Sequence, residues 1–166
     1  MERAGIRLEY PGTRHVMALS NIGDRLIRSK EWLLEAVSRR VTVSFQWWFN
    51  ESDDIYCRAR FIANYAVLEF GLDGMDDGQE RLFIGALVEL FKICIRAGAA
   101  VGLVIDRTGA TVNYSWDAFF LNGATLDQDL PDVLGLRSNA LSRVGILAPD
   151  TSKSEIDGFL LLRNTT

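Results

Sequence analysis

The residues best suited to recognition chemistry are an alternating set of aromatic, amide and cationic side chains. Gln46 and Trp48 alternate with apolar residues along one segment, and Tyr56, Arg58 and Arg60 do so along the next. Successive side chains of a β-strand point to opposite faces, so these five residues would share one face of a sheet. Trp, Tyr and Arg are enriched at interface hot spots. The pattern therefore predicts a partner-binding surface on the sheet.

Trp32 is a further aromatic residue in an unexpected place. At 100° steps along a predicted helix it falls on the polar side, which predicts an exposed side chain and a second partner contact. The sheet residues allow another interpretation, in which the Leu-rich C-terminal quarter of the chain covers Trp48 and Tyr56 as a second core layer. A homodimer joined through the sheet face is a third alternative.

Two loops carry clusters of aspartate that would suit a basic partner. One contains Asp76 and Asp77, and the other contains Asp127 and Asp129. Carboxylate oxygens also hold Ca²⁺ or Mg²⁺, but the first loop lacks the register and terminal Glu of an EF-hand, so we expect no metal and no cofactor. Asp77, followed three residues later by Glu80, resembles a helix capping box.

A competing hypothesis is a small enzyme or ligand-binding domain with a carboxylate-containing pocket. It would use Asp106 and Asp117 as acid–base groups, with His15 as a further candidate, in a pocket lined by Trp116, Phe119 and Phe120. The chain has one histidine, and no Ser or Cys nucleophile lies in a known motif. We therefore expect a protein without catalytic residues.

Charge and length limit the classes of partner and the location. The 166 residues include 18 basic and 22 acidic side chains, a net charge of -4, which disfavours binding to nucleic-acid phosphates. The glycines match neither the dinucleotide nor the Walker spacing. No apolar run is long enough to cross a membrane and no signal peptide is recognisable, so we expect a cytoplasmic protein without a membrane partner.

The two cysteines, Cys57 and Cys94, both fall on predicted apolar faces. Free cysteine behaves as a small apolar group in a protein core. We therefore predict two unpaired thiols.

Periodicity indicates the elements that must position these residues. Helices are predicted over residues 22–39, 78–97 and 116–121. Strands are predicted over residues 6–10, 15–19, 41–49, 55–62, 65–72, 101–105 and 144–147, with another after the turn 106–109 that ends near Tyr114. Residues 130–136 form a short segment containing proline, and residues 156–162 fit a helix or a strand.

The order of these elements predicts a single α+β domain over residues 1–166. Consecutive strands would pair in one antiparallel sheet with both long helices on one face, which is a ferredoxin-like sandwich with a C-terminal extension. The inner face would carry Val43, Phe45, Trp47, Cys57 and Phe61.

Between Val41 and Phe120 the chain resembles the immunity proteins of bacterial polymorphic-toxin systems. The resemblance lies in size, charge and element order, and in the stretches Val43–Trp48, Asp106–Gly109 and Trp116–Phe120. It implies an inhibitor that neutralises a cognate toxin by stoichiometric binding. Acidic side chains would enter the basic cleft of the toxin, aromatic anchors would supply most of the affinity, and no catalytic residue would be needed.

Overall fold

The computed structural model describes residues 1–99, 102–145, 147 and 149–164, with the backbone alone at residue 3. Its strands form two antiparallel sheets accompanied by helices, which confirms the α+β class. The chain divides into two compact units, residues 1–83 (unit 1) and residues 84–166 (unit 2), and the boundary falls within a helix.

Unit 1 contains a five-stranded sheet, one α-helix of its own and a short 3-10 helix (Glu2–Ala4). In chain order its elements are β1 (Val16–Leu19), β2 (Arg25–Arg28), α1 (Lys30–Ser38), β3 (Val43–Trp48), β4 (Asp54–Ile62) and β5 (Tyr65–Phe70). The sheet order is β2-β1-β3-β4-β5, and every neighbouring pair is antiparallel. The hairpin predicted between the strands over residues 41–49 and 55–62 is therefore confirmed, as is the third strand after it.

The helix predicted over residues 22–39 is wrong in its first half. The Ser20 hydroxyl accepts hydrogen bonds from the backbone N–H groups of Ile22 and Asp24, which makes a turn, and residues 25–28 then form β2 beside β1. Helix α1 begins only after Ser29, whose side chain accepts from the N–H of Trp32 as an N-cap. The local side-chain hydrogen bonds decide this boundary because they satisfy backbone donors in a turn rather than in a helix.

The inner face of the unit 1 sheet packs against α1. Its core contains the predicted residues Val43, Phe45 and Cys57, with Trp47 packed against them, and α1 adds Leu33. Cys57 is 1% exposed. The predicted side-chain alternation of β3 and β4 is thus confirmed for this face.

Helix α2 (Asp77–Arg96) begins with a capping box, shifted one residue from its expected position. The Asp76 carboxylate accepts from the N–H groups of Gly78 and Gln79, both at 2.8 Å. The Gln79 side-chain oxygen accepts from the N–H of Asp76 at 3.1 Å, which completes the reciprocal pair. Asp76, rather than Asp77, is therefore the capping residue.

Unit 2 contains a four-stranded sheet and the later turns of α2. Its other elements are β6 (Leu103–Ile105), α3 (Trp116–Asn122), β7 (Val133–Arg137), a 3-10 helix (Ser138–Arg143), β8 (Ser152–Ile156) and β9 (Phe159–Arg163). The sheet order is β6-β7-β9-β8, again antiparallel throughout. Residues 156–162, which fitted either type of element, are the end of β8, a turn and most of β9.

Both faces of this second sheet are covered within unit 2. On one face Phe91 of α2 stacks edge-on against Phe159 and lies close above Gly135, where a Cβ atom would come within 2.7 Å of the Phe91 ring. The other face carries Leu134 and Leu136, which pack in a cluster with Phe119 of α3 and its neighbours. The elements that follow α2 therefore form a hydrophobic core among themselves.

Two predictions for this region need correction or fall partly outside the described residues. No strand follows the turn 106–109, because Ala110 and Thr111 donate their N–H groups to the Asp106 carboxylate and continue the loop instead. In the segment 144–147, Val144 makes an isolated bridge with Leu126, while residue 146 lies outside the described residues. Residue 101 of the predicted strand 101–105 also lies outside them, and Leu103–Ile105 form β6.

Within the confirmed α+β class, the sheet arrangement differs from the one expected. The strands form two sheets where one was predicted, and the named strands pair only in antiparallel fashion, whereas a ferredoxin-like split βαβ unit contains parallel neighbours. Consecutive strands pair by default, but β7 pairs with β9 and not with β8, which periodicity cannot reveal.

Candidate functional site

The outer face of β4 and β5, which points away from α1, carries three of the predicted contact residues, Tyr56, Arg58 and Arg60. Tyr56 is 41% exposed, and Arg58 is exposed beside it. Glu69 of β5 lies opposite Arg58 and accepts a hydrogen bond from Arg60, while its other oxygen is 3.9 Å from Arg58. Tyr65, 40% exposed, begins β5. We call these five residues the tyrosine–arginine strip.

The expected exposure of Trp48 and Gln46 on the same sheet is wrong, because both are buried at 2% and 6% exposure. Trp48 exchanges two backbone hydrogen bonds with Arg7, at 2.8 and 2.9 Å. Tyr10 packs edge-on against the Trp48 ring at 4.7 Å, and the Arg25 guanidinium lies 5.8 Å from it. The N-terminal residues thus cover one half of the outer face and leave the β4–β5 half open.

Trp32 is also less exposed than its helical position predicts. It is half-buried against the core of unit 1, and the guanidinium of Arg28 lies 5.5 Å from its ring. Because the helix begins at Lys30 rather than Ile22, its orientation differs from the one assumed in placing Trp32 on the polar side. Trp32 therefore belongs to the α1 packing and not to the strip.

Two acidic segments that are distant in sequence meet at one end of unit 1. The Gln79 side-chain amide donates to the Asp53 carboxylate at 2.8 Å, and the same side chain accepts from the N–H of Asp76. Gln79 therefore joins the β3–β4 turn to the loop that precedes α2. Asn50 holds Asp53 in place by a further hydrogen bond of 2.7 Å.

This end of unit 1, which we call the acidic end, consists of residues 50–54 and 73–80. Its seven carboxylates are Glu51, Asp53, Asp54, Asp73, Asp76, Asp77 and Glu80, and it contains no Lys or Arg. Asp54 forms an ion pair with Arg25 at 3.5 Å. With these seven set aside, 18 basic and 15 acidic residues remain, so the acidic end accounts for the sign of the net charge.

Tyr56 lies where the strip and the acidic end adjoin. Its backbone oxygen accepts from the N–H of Gly71 at 3.0 Å, just before the acidic loop begins. Its hydroxyl is 3.0 Å from the Ser44 hydroxyl, which fixes the ring on the outer face. Along the outer face of β4, this exposed aromatic residue thus lies between Arg58 and Asp54, each two positions away, so it has a cation on one side and a carboxylate of the acidic end on the other. Interfaces likewise surround an aromatic core with a polar rim.

The second predicted acidic loop belongs to unit 2 and is organised differently. Asp127 accepts a hydrogen bond from the Thr125 hydroxyl at 3.1 Å. Burial and the charge of Asp127 together raise the pKa of the Tyr114 hydroxyl, which donates to the Thr125 carbonyl. Asp129 is exposed on the same loop.

Two of the acid–base candidates of the competing hypothesis, Asp106 and His15, form local contacts with nearby residues of the chain. Asp106 accepts from the N–H and the hydroxyl of Thr111, at 2.8 and 2.6 Å, besides the N–H of Ala110. Asp117 lies in the first turn of α3. His15 is exposed and its Nδ1 is 2.7 Å from the Thr13 carbonyl. The geometry of Asp106 is that of a turn-forming carboxylate.

The sequence interpretation missed Gln79, Asp53 and Glu69, which connect the site. The role of Gln79 could have been predicted, because Gln three residues after Asp76 is itself a capping-box pattern. The Asp53–Gln79 contact could not, since it joins residues from separate elements.

Within the described residues, no group of three or more His, Cys, Asp or Glu side chains is arranged to hold a metal ion. In that same part of the chain, no helix combines the length and apolar character needed to cross a membrane. Comparisons with protein-family models, with curated proteins and with solved structures gave no match.

Proposed function

We propose that this chain is a non-catalytic protein-binding domain that inhibits a partner with a basic surface, in the manner of an immunity protein and its cognate toxin. The observation that carries the proposal is the position of Tyr56, an exposed aromatic residue between the arginines of the strip and the acidic end. Aromatic anchors supply much of the energy of protein interfaces, and complementary charge around them selects the partner.

The charge of the acidic end supports a basic partner in particular. Glu51, Asp73 and Asp77 are exposed and make no side-chain hydrogen bond or ion pair within the described part of the chain. Capping accounts for Asp76 and cross-linking accounts for Asp53, but neither explains these three. Unpaired exposed carboxylates of this kind increase the rate of encounter with a basic surface, and the effect weakens as salt is added.

The test is titration calorimetry against the purified products of the genes adjacent to this one, at low and at physiological ionic strength. We expect one of them to bind with 1:1 stoichiometry. Tyr56→Ala should weaken that complex by about 2 kcal/mol or more, and Asp73→Asn with Asp77→Asn should reduce both its affinity and its salt dependence.

Glu35→Gln serves as a control that removes one negative charge away from the site, since Glu35 is an exposed carboxylate on α1, paired with Arg39. It should bind like the unmodified protein. The proposal fails if no neighbouring product binds, or if the folded Tyr56→Ala protein binds with unchanged affinity. Self-association in sedimentation without a second protein would instead indicate the homodimer.

A further inference from the structure

Unit 2 contains a basic groove, which stands out in an acidic protein. It has a volume of about 550 Å³ and is lined by Lys92, Arg96, Ser152, Lys153, Ser154, Ile156, Leu161 and Arg163. Four of these eight residues are cationic and none is acidic, but Lys153 lies opposite Leu162, so its side chain projects to the other face of the sheet. Lys92, Arg96 and Arg163 are therefore the cations of the groove. The volume lies within the range of small-molecule sites.

The register of β8 and β9 explains why these residues share the groove. Ser152 lies directly opposite Arg163 and Ser154 opposite Leu161, and directly opposed residues of antiparallel strands project to the same face. The next pair along the strands includes Phe159, which stacks on Phe91 of α2. This face of the sheet therefore points towards α2, which supplies Lys92 and Arg96 from positions four residues apart.

The groove keeps most of its positive charge. Lys92 forms an ion pair with Glu89 at 2.6 Å, so one cation is partly neutralised. That hydrogen bond and the charges of Lys92 and Arg96 lower the pKa of the Glu89 carboxyl. Glu155, the carboxylate of β8, lies opposite Leu160 and so projects to the other face of the sheet, away from the groove.

We propose that this groove binds a small phosphorylated molecule, with its phosphate between Arg96, Arg163 and Lys92 and its apolar part against Ile156 and Leu161. Two arginines and a lysine match a dianionic phosphate better than a single carboxylate, because phosphate offers three acceptor oxygens and up to two charges. The hydroxyls of Ser152 and Ser154 add neutral donors on the same side. The half-buried Ile156 and the buried Leu161 form an apolar floor that free phosphate would leave unused.

The test uses 1-naphthyl phosphate as the probe in titration calorimetry with the full chain, alongside 1-naphthoate, 1-naphthol and inorganic phosphate. We expect the naphthyl phosphate to bind at one site, at least tenfold more tightly than each of the other three compounds. Its affinity should fall as salt is added, since the contact is between charges.

Variants locate the binding. Arg96→Gln and Arg163→Gln should each weaken naphthyl phosphate binding by at least tenfold, whereas Arg81→Gln, which removes an arginine of the same helix outside the groove, should leave it unchanged. Arg96 is exposed in the last turn of α2, so its variant remains informative even if Arg163→Gln does not fold.

Three outcomes would overturn the proposal. They are no binding of naphthyl phosphate, equal binding of naphthoate or naphthol, and unchanged binding in a folded Arg96→Gln protein. Neither Asp73 nor Asp77 lines the groove, so their variants should not alter probe binding. The experiments therefore distinguish failure of the phosphate-binding proposal from failure of the proposed inhibitor function.

Discussion

Trp48 and Tyr56 are aromatic residues on the same face of one sheet, yet only Tyr56 is accessible. Two-residue periodicity places both side chains correctly on that face. It does not show that Arg7 pairs with β3 and that Tyr10 packs on the Trp48 ring. The face on which a side chain lies can thus be predicted from the sequence. Whether Trp48 is buried depends on a segment about 40 positions earlier in the chain, which packs over it.

Trp48→Ala should therefore act on folding. Removing a large side chain that is 2% exposed leaves a cavity, and we expect a loss of about 3 to 5 kcal/mol in the free energy of unfolding. Tyr56→Ala, at 41% exposure, should cost less than about 1 kcal/mol. Urea denaturation of the two variants compares them directly, and equal losses would mean that the N-terminal residues do not cover Trp48.

Cys57 and Cys94 are both free, which confirms the predicted unpaired thiols, but their environments differ. Burial raises the pKa of the Cys57 thiol to about 12 from an ordinary value of 9.0. Since the thiolate is the reactive form, Cys57 in the native protein should resist a thiol reagent at pH 8, and two thiols should react after unfolding. Rapid native reaction at Cys57, identified by peptide mapping, would contradict its burial.

The same pKa shift has a consequence for stability. The native state holds the Cys57 proton more tightly than the unfolded state, so this contribution is complete below about pH 9 and is lost as the pH rises towards 12. Replacing Cys57 with Ala should remove that part of the alkaline loss, as measured by urea melts at several pH values.

Residues 22–28 illustrate what limits prediction at the scale of elements. The apolar side chains Ile22, Leu26 and Ile27 fit a helical stripe when α1 is extended backwards, but four residues also suffice for a strand. The Ser20 turn and the Ser29 cap decide between the two. Both serines are visible in the sequence, but an assignment based on hydrophobic periodicity alone does not take polar capping residues into account.

The shifted capping box of α2 yields a paired prediction. Asp76→Ala should destabilise the protein by about 1 kcal/mol, because two N–H groups lose their acceptor. Asp77→Ala, at the first helical residue, should change stability by less than about 0.5 kcal/mol. Chemical denaturation of both variants checks the assignment, and the reverse order of losses would restore Asp77 as the cap.

At the scale of the whole molecule, composition and element types were sufficient for the α+β class, while pairing between distant strands was not accessible. The candidate site shows the same difference between local patterns, which the sequence predicts, and long-range contacts, which it does not. Tyr56, Arg58 and Arg60 were identified from alternation within one strand, but the acidic end required knowing that Gln79 bonds to Asp53. Long-range contacts depend on loop paths that a single sequence does not specify.

The acidic end also has a cost in the unbound protein. Seven carboxylates on two joined segments repel one another. At physiological ionic strength the Debye length is roughly 8 Å, so salt only partly screens the repulsion between carboxylates closer than that. Counterions relieve this self-repulsion, so added salt should raise the melting temperature of the free protein while it weakens the complex with a basic partner. Tight folding and tight binding therefore place opposite demands on the same charges.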